Sequence, residues 1–372
     1  MIPLFRVAMS ADVIGPLREV LLSGFVGQGA KVDEFEARLS EYLGTPYVVT
    51  TNSGTSALAL AYRLAGIGAG DEVVSTPVTC QATNQPLLER GAKIVWADVN
   101  PKTGNIDPED VYNRITSYYT KAIVCVHFGG YPCDLQSLRT VADDAHVPLI
   151  EDCAHAFGSE FGGVKIGATG GQFRCFSFQA IKLLTCADGG LLVCEDEADY
   201  KRAKLLRWYG MDREDKTRLE LRCEADVKEH GYKFHLNDIG ATIGLANLKS
   251  VPERLARTRM NAAYYDAVLF NEKFRRIWPT MRHIQRRSSF WLYPVLVDYP
   301  ERFIPFMKAR GVHTSQVHLR NDVHTCFAAS RADLPGVDEW TAHQVSVPCG
   351  AWVTDDDRET IMNAMREYEA AI

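Results

Sequence analysis

Between about residue 45 and residue 195, short apolar runs alternate with amphipathic segments, and few folds accept that rhythm. Residues 47–51, 72–75, 93–98, 122–126, 148–152, 174–178 and 190–194 are strand candidates, and 56–65 and 135–146 carry helical spacing between them. Strands that are apolar along their whole length are covered on both faces. The pattern therefore predicts an α/β fold built on a mainly parallel sheet flanked by helices. In such a sheet a ligand sits beyond the carboxyl ends of the strands, so the residues that follow each run carry the most information.

After residue 195 the rhythm changes. Residues 241–248 and 252–268 read as helices, 290–297 as a strand, and 301–310 and 355–370 as further helices. A chain of 372 residues exceeds what one hydrophobic core usually organises. The expectation is a large α/β domain over 1–249, including the N-terminal segment, and a smaller C-terminal α+β domain over 250–372. A formal net charge of −6 argues against general nucleic-acid or membrane-surface binding, both of which need a basic footprint. No apolar run is long enough to span a bilayer, and Met1-Ile-Pro-Leu-Phe-Arg-Val lacks the features of a secretory leader. The ten cysteines include no CxxC pair and most sit in apolar runs. They read as reduced thiols of a cytoplasmic protein, with no metal site expected.

Three motifs fall where the sheet should present a site. Thr51-Asn-Ser-Gly-Thr-Ser56 joins a strand to a helix, and its small residues would expose backbone N–H groups to an anion such as a phosphate. Plain helix capping is the competing reading. Glu151-Asp152-Cys-Ala-His155 ends an apolar strand with a carboxylate, which would meet a cationic ring nitrogen or cap the next helix. In Ser177-Phe-Gln-Ala-Ile-Lys182 a lysine sits among apolar residues five positions after a serine. A desolvated amine loses its proton and attacks carbonyls, the chemistry that holds pyridoxal phosphate as a Schiff base. A lysine snorkelling from a strand edge is the alternative.

Together these motifs resemble the DegT/StrS group of pyridoxal-phosphate-dependent sugar aminotransferases, of the aspartate-aminotransferase fold type. Gly24-Phe-Val-Gly-Gln-Gly29, Val32-Asp-Glu-Phe-Glu36, Asn52-Ser-Gly-Thr-Ser-Ala-Leu58 and Gly231-Tyr-Lys-Phe-His-Leu-Asn-Asp238 extend the likeness along the chain. The resemblance implies that Lys182 forms the Schiff base and shuttles the proton, and that Asp152 pairs with the pyridine nitrogen. It implies a phosphate site at Gly54, Thr55, Ser56 and Ser177, with Cys80, His155 and Gln179 beside the cofactor. The reaction implied is transfer of an amino group, usually from L-glutamate, to a nucleotide-linked keto-sugar. It also implies a homodimer with shared sites, in which the Gly231 segment carries Lys233 toward the partner's cofactor phosphate.

Two departures from the pattern stand out. Cys80 occupies a position where relatives place an aromatic ring that stacks on the cofactor, which makes His155 the first substitute. Lys233 and His235 stand where relatives carry Asn and Arg. In Thr314-Ser-Gln-Val-His-Leu-Arg-Asn321 the substrate residues would be His318, Arg320 and Asn321, with Arg320 either on a diphosphate or the donor's carboxylate or simply a surface arginine. Phe290-Trp-Leu-Tyr293 would shape the same pocket. A sugar dehydratase of the same fold is one alternative, although those relatives replace the lysine by histidine. A non-catalytic regulator is another, since function belongs to the site and not the fold.

Overall fold

The computed structural model describes residues 1–116, 118–213 and 226–371. Its main sheet is formed by β1 (Val48–Thr51), β2 (Glu72–Ser75), β3 (Lys93–Trp96), β4 (Thr120–Val126) and β5 (Leu149–Asp152), joined later by two more strands. The short β6 (Glu160–Phe161) and β7 (Val164–Lys165) lie outside it, and β8 (Phe173–Ser177) and β9 (Gly190–Cys194) complete it. The strand order is β1-β9-β8-β5-β4-β2-β3. Neighbours run parallel from β8 across to β3, and β9 is antiparallel to both β1 and β8. The predicted mainly parallel sheet is thus what the chain forms.

Neighbouring side chains of each strand enter different cores. Val73, Val124, Ile150 and Leu192 pack with Leu58, Ala61 and Tyr62 of the helix Gly54–Leu64. Val74, Ile123, Leu149 and Leu191 pack with Phe35, Leu39 and Leu43 of the helix Ala30–Leu43. Burying each such aliphatic side chain contributes about 1.5–3 kcal/mol, so the two-sided apolar runs dictate the covered sheet.

The C-terminal region forms a second sheet from β10 (Ile277–Pro279), β12 (Tyr293–Val297) and β13 (Gln344–Val347), all antiparallel. Between them β11 (Arg286–Arg287) pairs with β6. The helices Val251–Asn271, Pro300–Ala309 and Asp355–Ala371 bury Tyr265, Phe303, Met365 and Tyr368 against Val295 and Val345. The strand expected from 290 begins three residues later because Phe290 is in the left-handed region, at φ 52°. That backbone excludes a strand and frees Trp291 for the site described next.

Candidate active site

Asn52, Asp152 and Ser177 follow or end β1, β5 and β8, so the three motifs open on one edge of the sheet. The helix Gly54–Leu64 starts with Ser53, whose Oγ accepts from the Ser56 amide at 3.0 Å. Ser56 Oγ donates to Asn52 Oδ1 at 2.6 Å. Among the described residues, the Gly54 and Thr55 amides of this first turn make no hydrogen bond. Helix N-termini with such open amides attract anions. A β-carbon on Gly54 would stand 2.8 Å from Ser177 Cβ, so Gly54 brings the loop and the Ser177 hydroxyl together. The expected Ser56 amide is not available, because the cap already holds it.

Asp152 is 4% exposed. Its Oδ2 accepts from Thr83 Oγ1 at 2.6 Å and its Oδ1 from the Ala154 amide at 3.0 Å. Burial pushes this carboxyl upward, and the Thr83 and Ala154 hydrogen bonds and the Lys182 charge oppose the shift. Behind it, buried His127 Nε2 meets Glu151 Oε2 at 2.8 Å, and His127 Nδ1 accepts from the Cys133 amide at 3.0 Å. Cys153 completes a buried group of three potential ligand atoms lying within 4.8 Å of one another. Both imidazole nitrogens and Glu151 Oε1, which accepts from the Gly171 amide, are already bound within the protein.

Burial lowers the Lys182 amine to about 8, against the attraction of Asp152 and Cys80. Its Nζ lies 3.7 Å from the centre of the Trp291 ring. Trp291 is fixed by donation from Nε1 to the Ile181 carbonyl at 2.9 Å, and stacks on Phe5 at 5.0 Å. On the same indole lies His155, with ring centres 3.9 Å apart, and His318 lies parallel to His155 at 5.7 Å. Burial and the Lys182 charge depress both histidines, His318 to about 4. The Gly129 amide donates to His155 Nδ1 at 3.3 Å, so the neutral ring carries its proton on Nε2.

Other expected site residues are placed differently. Cys80 is exposed at the start of the helix Gln81–Glu89. Gln179 Oε1 accepts from the Ile181 amide and shapes the Lys182 loop. Lys233 is exposed, its ammonium 4.8 Å from the Trp208 ring, while its carbonyl accepts from Asn52 Nδ2. Arg320 was expected on a substrate anion, yet its guanidinium is already paired with Asp322 and Asp338. Asn321 is a clearer correction. Fully buried, it donates to the Thr79 carbonyl at 2.8 Å and accepts from Asn84 Nδ2 at 2.9 Å, so its amide braces the Cys80 loop and does not reach substrate. Thr83, which no motif singles out, touches Asp152 directly.

An open anion cradle, a buried carboxylate and a depressed amine on one sheet edge fit the phosphate, ring nitrogen and aldehyde of pyridoxal phosphate. The sequence pattern of the DegT/DnrJ/EryC1/StrS aminotransferase family matches residues 8–366. The chain belongs to that family. It is a pyridoxal-phosphate-dependent sugar aminotransferase.

Similar solved structures include the sugar aminotransferase CalS13 from Micromonospora echinospora, at 41% identity and a TM-score of 0.93 over 99% of this chain and 100% of that one. Spr1654 from Streptococcus pneumoniae has been solved in apo, PLP and PMP forms. Its PMP form matches at 25% identity and a TM-score of 0.92 over the full length of both chains. SpsC, a spore coat polysaccharide biosynthesis protein of Bacillus subtilis strain 168, is 31% identical over 96% of this chain and 94% of its own. Among the described residues no helix is long and apolar enough to cross a membrane.

Proposed function

We propose that this aminotransferase moves an amino group from L-glutamate to a ketone on a nucleotide-linked sugar, with Lys182 as the group that binds the cofactor and transfers the proton. The observation that carries this reading is an amine lowered to about 8 beside a buried carboxylate, on the strand edge that also presents an open helix N-terminus. Bound pyridoxal phosphate would supply an aldehyde carbon to carry the amino group between donor and acceptor and an electron-poor ring to stabilise the adjoining carbanion. Gly54 and Thr55 amides and the Ser177 hydroxyl hold the phosphate. Asp152 keeps the ring nitrogen protonated by pairing with its charge. Lys182, lowered to about 8 so that a fraction of its amine is neutral at physiological pH, takes the proton from the donor's α-carbon and returns it to the acceptor. His155 offers Nε2–H to the ring's phenolic oxygen. His318, parallel to it, lines the space where the sugar enters.

The assembly is proposed to be a cytoplasmic homodimer with its sites at the subunit boundary. Leu22 and Phe25 are 75% and 81% exposed. Leu22 lies just before the Gly24–Gly29 motif and Phe25 within it, and the Gly29 amide of that motif is held by Asp238 of the Gly231 segment at 2.8 Å. Large exposed apolar side chains anchored to two site motifs favour burial against a second copy.

Purified enzyme mixed with L-glutamate should lose the visible band of its cofactor and release 2-oxoglutarate. A panel of nucleotide-linked keto-sugars should then restore the band with the true acceptor. A protein that holds the cofactor and responds to no amino donor would instead be a binding module.

A further inference from the structure

Thr83 is fully buried in the first turn of the helix Gln81–Glu89, four residues after Thr79, which lies in the loop before the helix. Its Oγ1 is 2.6 Å from Asp152 Oδ2 and 2.7 Å from Thr79 Oγ1. A carboxylate has no proton to offer, so Thr83 donates to Asp152, and Thr79 therefore donates to Thr83. The acceptor at one end thus orients the whole chain of hydroxyls. Tyr62, on the helix whose first turn forms the anion cradle, donates to the Thr83 carbonyl at 2.7 Å. Asn321 holds the Thr79 carbonyl from the C-terminal region. Three separate parts of the fold therefore bear on one carboxylate oxygen.

Among the described residues, each oxygen of Asp152 has one partner, Thr83 or the Ala154 amide, which leaves lone pairs for a cationic nitrogen. We propose that Thr83, oriented by Thr79, is a positioning residue for transamination, holding Asp152 as the charged partner of the cofactor's ring nitrogen. The inference rests on the reading of Asp152 given above. Without the hydroxyl, Asp152 becomes the stronger base and draws the shared proton off the ring, which weakens the ring's pull on electrons. The other titratable groups bearing on Asp152 are Lys182, His127, Tyr62, Cys153 and Cys175. Burial pushes Tyr62, Cys153 and Cys175 upward, which keeps them neutral.

The test follows the visible band of the holoenzyme against pH in Asp152→Asn, Thr83→Val, Thr83→Ala and Thr83→Ser. Asp152→Asn should move the midpoint upward. Thr83→Val and Thr83→Ala should move it the same way by about one pH unit and lower kcat at least about tenfold, with Thr83→Ser restoring both. Thr83→Ala leaves a void instead of a new methyl group, so it serves if the valine variant does not fold. A wild-type midpoint in the Val or Ala variant, with only a lower melting temperature, would make Thr83 merely structural and overturn the proposal. An unmoved midpoint in Asp152→Asn would instead sink the Asp152 reading on which the proposal rests.

Discussion

Lys182 receives opposing influences, since desolvation drives its proton off while Asp152 holds it on, and burial wins. An amine near 8 is mostly charged at pH 7 and mostly neutral at pH 9, and only the neutral form attacks an aldehyde. Capture of pyridoxal phosphate by cofactor-free enzyme, followed by stopped-flow absorbance, should therefore speed up as pH rises through about 8 and level off above it. A rate that stays flat from pH 6.5 to 9.5 would contradict the depressed amine. Lys182→Ala should lose the visible band and lower turnover by roughly a thousandfold or more, consistent with removal of a proton-transfer group. Lys182, Asp152 and the Ser53 loop were legible because reactive side chains at strand ends are unusual in sequence. Arg320 and Asn321 misled because polarity does not reveal that Asp322, Asp338, Thr79 and Asn84 already satisfy them. Thr83 was illegible for the opposite reason, since a threonine inside a helix signals nothing until Asp152 is seen beside it.

The element that matters most to the site is the first turn of the helix Gly54–Leu64, pressed against Ser177. Gly54→Ala would force a β-carbon to 2.8 Å from Ser177 Cβ. Overpacking of this kind costs about 1–3 kcal/mol. The expected result is a lower melting temperature together with cofactor binding weakened at least about tenfold, read by fluorescence titration. Unchanged affinity would mean that this turn does not carry the phosphate. The seven short apolar runs of the main sheet were readable because both faces are covered. By contrast β6, β7 and β11 have two residues each, too few for any periodicity, and they exist because pairing and turn geometry impose them.

At the scale of the whole molecule, the anchored apolar surface at Leu22 and Phe25 predicts association. Light scattering should give a mass of about twice the 41.5 kDa chain. Leu22→Glu combined with Phe25→Glu should shift it toward one chain, with activity falling in parallel. A fully active single chain would refute the shared-site arrangement. The aromatic stack behind Lys182 has a further consequence for the order in which the molecule is made. Trp291 follows Ile181, the residue it braces, by 110 positions, and Phe5 reaches it from the other end of the chain. On the ribosome the reactive lysine emerges long before its indole floor, so a nascent chain halted before Trp291 should be blind to the vitamin.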